Sequence, residues 1–205
     1  MSQLAKYVPG NIFHLAGRQA LGMSAGIPAK ALAKSMAWEL FLIAGAGSLF
    51  SWLVLPRLLH YFPLPFGIIL MFASFILVMC LLRRFIGRHV AIAFLWQLFF
   101  LLISANIFIA LTGLISGYDK LSMQYCLIIG GTYTIAWLAG LVTPGSPAGV
   151  GIREIILLLV LKGIVAEDSL LIVVLLGRIV TVTGDILIFS GNTPLFHRKL
   201  YTIER

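Results

Sequence analysis

The chain has 205 residues, 60% of them apolar and only 11% charged, too little polar surface to cover a water-soluble globule of that size. Its 15 Lys and Arg against 7 Asp and Glu give a formal charge of +8, but the charges fall between apolar runs, as membrane topology requires, so nucleic acid is not implied as a partner. Cys80 and Cys126 lie inside apolar segments at neither metal nor disulfide spacing, and no metal or other cofactor is expected.

These bounds imply an all-α integral membrane protein, a polytopic helix bundle in which residues 1–205 form a single transmembrane domain. The first ten residues lack the continuous apolar core and small-residue cleavage site of a signal peptide, so insertion is expected to rely on internal helices. Pro9 to Lys34 is amphipathic, mixing Ile12, Phe13, Leu15 and Leu21 with His14, Arg18, Lys30 and Lys34, and reads as an interfacial or re-entrant element over 1–34. Ser35 to Leu55 is the first full crossing, with Ala44, Gly47, Ser48 and Ser51 as a small-residue packing face and Glu39 one turn inside its start. After a loop from Pro56 to Pro65, Phe66 to Leu82 crosses back and Arg83, Arg84 and Arg88 stop it.

Val90 to Ile115 is longer than the hydrocarbon needs and carries Gln97 and Asn106, whose amides are expected to face other helices. Leu121 to Val142 crosses next, with Gly130, Gly131, Thr134 and Gly140 as packing positions. Leu141 to Glu154 then cannot be a regular helix. Pro144 and Pro147 remove amide donors, while Gly145, Gly149 and Gly151 allow backbone angles closed to other residues. A helix beginning near Ile152 would aim its free amides back into this turn beside Arg153, an anion site in outline; the alternative is a surface loop and a helix whose first turn Glu154 stabilises.

Ile155 to Val165 is short for a crossing, which favours a re-entrant element or a short helix in a thinned bilayer. Leu170 to Ser190 is the final span, followed by a cytoplasmic tail over 191–205. Arg178, Thr181 and Asp185 share one face of that span, either as a polar lining or as a structural charge pair with other helices. Lys6, Arg18, Lys30, Lys34, Arg83, Arg84, Arg88, Arg153, Arg198, Lys199 and Arg205 fall on one side of the membrane, opposite Arg57, Lys120 and, if the short helix crosses, Lys162, with Arg178 inside the membrane, and that basic side is expected to be cytoplasmic.

The opening Tyr7-Val-Pro-Gly-Asn-Ile-Phe-His-Leu-Ala-Gly-Arg18 parallels Val142-Thr-Pro-Gly-Ser-Pro-Ala-Gly-Val-Gly-Ile-Arg153, with nine residues from proline to arginine in each, and suggests an internal repeat. At these residues the chain resembles the membrane (flippase-like) domain of lysylphosphatidylglycerol synthases. Pro144-Gly145 through Gly151-Ile-Arg-Glu154 carries the stronger likeness and Pro9-Gly10 through Gly17-Arg18 the second, with Glu39 where that family often has an acidic residue.

The resemblance implies a translocator in a bacterial or archaeal plasma membrane that moves a phospholipid or lipid-linked saccharide. Its headgroup anion would be held by Arg18, Pro144, Gly145, Gly149, Gly151, Arg153 and Glu154, along a lining of Glu39, Arg178 and Asp185. Family members usually carry helices before the first Pro-Gly element, whereas this chain starts almost on it, which raises the alternative of a truncated or accessory subunit supporting a glycosyltransferase or lipid synthase. An enzyme is the least expected class, because His14, His60, His89 and His197 lie outside the deep apolar spans and no nucleophile-base spacing appears.

Overall fold

A computed structural model describes residues 13–59, 61–117, 122–143 and 149–203. Among these residues eight α-helices follow one another: α1 (Phe13–Ser24), α2 (Ala29–Ser48), α3 (Ser51–Leu58), α4 (Leu64–Leu81), α5 (Arg88–Ser116), α6 (Met123–Val142), α7 (Ile152–Leu161) and α8 (Glu167–Ile203). Among the described residues the sole β contact is an isolated bridge between Lys162 and Val165 in the α7–α8 turn. Among the described residues three helices are long and apolar enough to cross a membrane: α4 with its π-helical extension Leu82–Ile86, α5 and α6; the bent pair α2–α3 makes a fourth if it is one span.

The expected crossing over Ser35–Leu55 differs from what forms. Helix starts earlier, at Ala29, and bends by 42° between Ser48 and Ser51. Gly45 and Gly47 weaken the backbone there, and two serine hydroxyls compete for its carbonyls: Ser48 Oγ donates to Gly45 O at 2.8 Å and Ser51 Oγ to Ser48 O at 2.6 Å. Both serines are exposed, so the buried face of α2 consists of Leu42, Ile43, Ala46 and Gly47.

Pro56, expected to open a loop, lies inside α3 instead. A proline cannot donate to the carbonyl four residues back, here that of Trp52, and α4 meets this oxygen with Gly67. A Cβ at Gly67 would stand 2.4 Å from Trp52 O, so α3 and α4 pack this closely only because position 67 has no side chain.

Two apolar cores share α5 and α6. The first gathers Ile43, Ala46 and Phe50 from α2–α3, Leu82, and Ala91, Phe94 and Leu101 from α5; the second joins Phe108 to Ile129 and Ala136 of α6, Leu157 and Leu161 of α7, and Leu170 and Val173 of α8. Helix α6 is the most buried of the spans and α4 the least, in keeping with the glycines of α6 and the bulky, unbroken apolar surface of α4. Gly130 lies against Ile109 and Gly131 against Phe50 and Leu53, the packing roles expected of them. Thr112, Thr132 and Thr134 are buried, each hydroxyl donating to the carbonyl four residues back at 2.7 to 2.9 Å, which satisfies it inside an apolar bundle.

Gly47 meets Leu138, while Phe50 and Leu53 meet Gly131, so α2–α3 runs antiparallel to α6. At the far end of α3, Arg57 Nε donates to Val160 O at 3.0 Å and Nη2 to Lys162 O, placing a cation on the carbonyl end of α7. Arg57 and Lys162 therefore share one end of the bundle. The last helix does not stop at Ser190: α8 continues to Ile203, roughly 55 Å in all, well beyond a hydrocarbon core of about 30 Å.

Candidate functional site at the start of helix α7

The site is built on two glycines with left-handed backbones, Gly149 (φ 73°) and Gly151 (φ 88°), which turn the chain into α7. Gly149 also approaches α6 closely. A Cβ at Gly140 would lie 3.0 Å from Gly149 Cα and 3.1 Å from both Cγ and Nε of Arg153, so two glycines let the turn and the arginine stem rest directly on the end of α6. The Arg153 guanidinium carbon stands 5.7 Å from the centre of the Trp137 ring, one turn earlier on α6, a cation–π distance.

Glu154 occupies the third position of α7 and reaches back to its start, where Oε2 accepts from the Gly151 amide at 2.7 Å. Oε1 accepts from Arg178 of α8 twice, from Nε at 3.0 Å and Nη2 at 2.6 Å. The side chains are 22% and 26% exposed for Glu154 and Arg178, so water screens the pair only in part.

This arrangement alters one expectation and gives Glu154 its partner. The Gly151 amide, read from sequence as a free donor for an anion, is closed by Glu154, because a carboxylate three residues into a helix reaches that amide without displacing anything. The charge partner of Glu154 is Arg178, not its neighbour Arg153, since side chains adjacent on a helix diverge by about 100° whereas α7 and α8 lie side by side.

Arg153 and Arg178 come together on the wall of a cavity of about 20 Å³ between α5, α6, α7 and α8, with Tyr133, Phe108, Gly177 and Thr181. A second cavity of about 40 Å³ shares Phe108, Tyr133, Gly177 and Thr181 and extends towards Ser104 and Ile107 of α5. Phe108 and Tyr133 stack between them at 4.5 Å, and Thr181 donates to Arg178 O at 2.9 Å. The first volume is of the size that holds about one water and the second one or two, and both have polar groups to bind them.

The other expected site residues stand apart or outside the description. Pro144 and Gly145 lie outside the described residues; Arg18 lies on α1 and Asp185 on α8, the side chains of both outside the description. Glu39 is half-buried on α2, roughly 12 Å before Gly47, which by the antiparallel register puts it beyond the C-terminal end of α6. Asn106 is exposed and turns its amide onto its own helix, donating to Leu102 O at 2.8 Å, rather than facing another helix. Among the described residues no group of three or more His, Cys, Asp and Glu could hold a metal ion. The sequence reading missed Trp137 and Tyr133, whose only signal was their spacing from Gly140 on one helix face.

Comparison with known proteins finds no matching family model, no similar curated protein and no similar solved structure.

Proposed function

We propose that the chain is an integral membrane translocator for a phospholipid or lipid-linked saccharide, and that the headgroup anion engages Arg153 and Arg178. One observation carries the reading: guanidinium groups from two helices, Arg153 of α7 and Arg178 of α8, line the same small cavity inside an apolar bundle, where ionisable side chains are costly and mark functional positions. The likeness of Pro144 to Glu154 to the flippase-like domain of lysylphosphatidylglycerol synthases supports the same function. Helix α7, roughly 15 Å long, reaches only about half the hydrocarbon thickness, which supports a re-entrant element opened by the Pro-Gly turn. The Pro9–Arg18 and Pro144–Arg153 elements then act as related halves of one pathway. The basic ends and the C-terminus face the cytoplasm in this reading, in a bacterial or archaeal plasma membrane.

Size favours a second reading. Cavities of about 20 and 40 Å³ hold water but no headgroup, so translocation requires α7 or α8 to move, whereas an accessory subunit of a glycosyltransferase or lipid synthase requires no chamber at all. Reconstitution separates the two. Purified chain in liposomes should move a fluorescent phospholipid between leaflets, and Arg153→Lys or Arg178→Gln should slow it at least tenfold, the order of one charge-assisted contact. Absence of transport by a folded wild-type chain would leave the accessory reading.

A further inference from the structure

We infer that the exposed face of α5 is a binding site for one anionic phospholipid, separate from the cavity beside α7 and independent of any transport role. Ile92, Leu95, Trp96, Leu98, Phe99 and Leu102 line an apolar groove of about 450 Å³ on that helix. Its walls are open to the surroundings, with Trp96 67% and Phe99 53% exposed. Arg88, Ile92, Leu95, Phe99 and Leu102 follow one another at intervals of four and three, the spacing of one helical stripe, so Arg88 stands on the groove's stripe one turn before its first residue.

Two further cations crowd that end. Arg83 and Arg84 sit on the π-helical turn Leu82–Ile86, joined to α5 through Gly87 alone, which has φ 131°. Arg83, Arg84 and Arg88 are all exposed, and none takes part in a hydrogen bond or ion pair among the described residues. From Ile92 to Leu102 the groove runs roughly 15 Å, the depth of one leaflet's hydrocarbon. The groove's length suits an acyl chain and the exposed arginines near its head suit a phosphate, so charge and length favour an anionic phospholipid over an apolar protein segment.

The test uses the full chain with Trp38, Trp52 and Trp137 replaced by Phe, leaving Trp96 as its single tryptophan, reconstituted in phosphatidylcholine bilayers. A minor fraction of phosphatidylglycerol with brominated acyl chains should quench Trp96 about fivefold more than the same fraction of brominated phosphatidylcholine, one favourable arginine contact being worth about that ratio. Arg84→Gln with Arg88→Gln should remove the preference while circular dichroism stays unchanged. Equal quenching by both lipids in the parent protein would overturn the proposal and leave an ordinary lipid annulus. Absence of quenching by either would overturn it in favour of protein covering the groove, which cross-linking of Phe99→Cys between two copies would then detect.

Discussion

Arg178 of α8 holds Glu154 of α7 at 2.6 Å across 24 residues of chain, and the same carboxylate closes the Gly151 amide. One side chain thereby caps the start of α7 and fastens it to α8. Glu154→Gln keeps an oxygen for the amide but removes the charge, and should cost about 2 kcal/mol, between the values typical of surface and buried pairs. Arg178→Met alone should cost a similar amount by leaving the carboxylate without its cation. The double variant Glu154→Gln, Arg178→Met should lose less than the sum, a coupling that thermal unfolding in detergent would measure.

Gly149 and Gly163 both have left-handed backbones, at φ 73° and φ 81°, but only Gly149 lies against other atoms. Alanine at either position carries the same backbone penalty, about 1 to 2 kcal/mol. At Gly149 its Cβ also lands 2.9 Å from Arg153 Nε and Gly140 Cα. Gly149→Ala should therefore lower the melting temperature clearly more than Gly163→Ala. Equal shifts would mean that the turn can move away from α6 freely.

Arg57 donates to the carbonyls of Val160 and Lys162 at the end of α7. Arg57→Ala leaves those acceptors to water and takes a cation from the negative end of the helix, at a cost of about 1 to 2 kcal/mol. Hydrogen exchange should quicken at the Ile164 and Val165 amides, which bond back to Leu161 O, and stay unchanged in α4.

Arg57 and Lys162 share one end of the bundle, and by charge the end bearing Arg84 is expected to be cytoplasmic. In intact cells a membrane-impermeant thiol reagent should label Tyr61→Cys, in the exposed turn after Arg57, and not Arg84→Cys, with Cys80 and Cys126 replaced by serine. The reverse pattern would invert the orientation without changing the fold.

Much of the helix plan was legible in sequence because long apolar runs ended by charges leave few alternatives: α5 was expected over Val90–Ile115 and forms over Arg88–Ser116, and α7 starts at Ile152, where the glycines place it. The α2–α3 bend was not legible, since neither Leu49 nor Phe50 breaks a helix and the cause lies in serine hydroxyls turning back onto carbonyls. A charge pair between Arg178 and another helix was one of two expectations, but its partner, Glu154, was not legible. Helix periodicity relates Arg178 to Thr181 and Asp185 on its own face, while a contact between α7 and α8 depends on how a hairpin packs, which no local pattern encodes. The site was thus half readable: the turn and Arg153 announce themselves by composition, whereas Tyr133 and Trp137 become site residues only once α6 is placed against α7.

The sharing of α6 between both cores bears on the order in which the chain can assemble as it leaves the ribosome. Every residue of the first core precedes Val142, and Trp137 and Leu141 at the end of α6 still pack against it. The second core cannot close until Leu157, Leu161, Leu170 and Val173 have been made. Biogenesis is therefore vectorial: a chain halted after α6 has all the material of its first half, whereas one lacking α6 has lost the common wall of both. Nonsense truncations on either side of residues 123–142 should separate accordingly, a protease-resistant membrane fragment surviving the later stop and none the earlier.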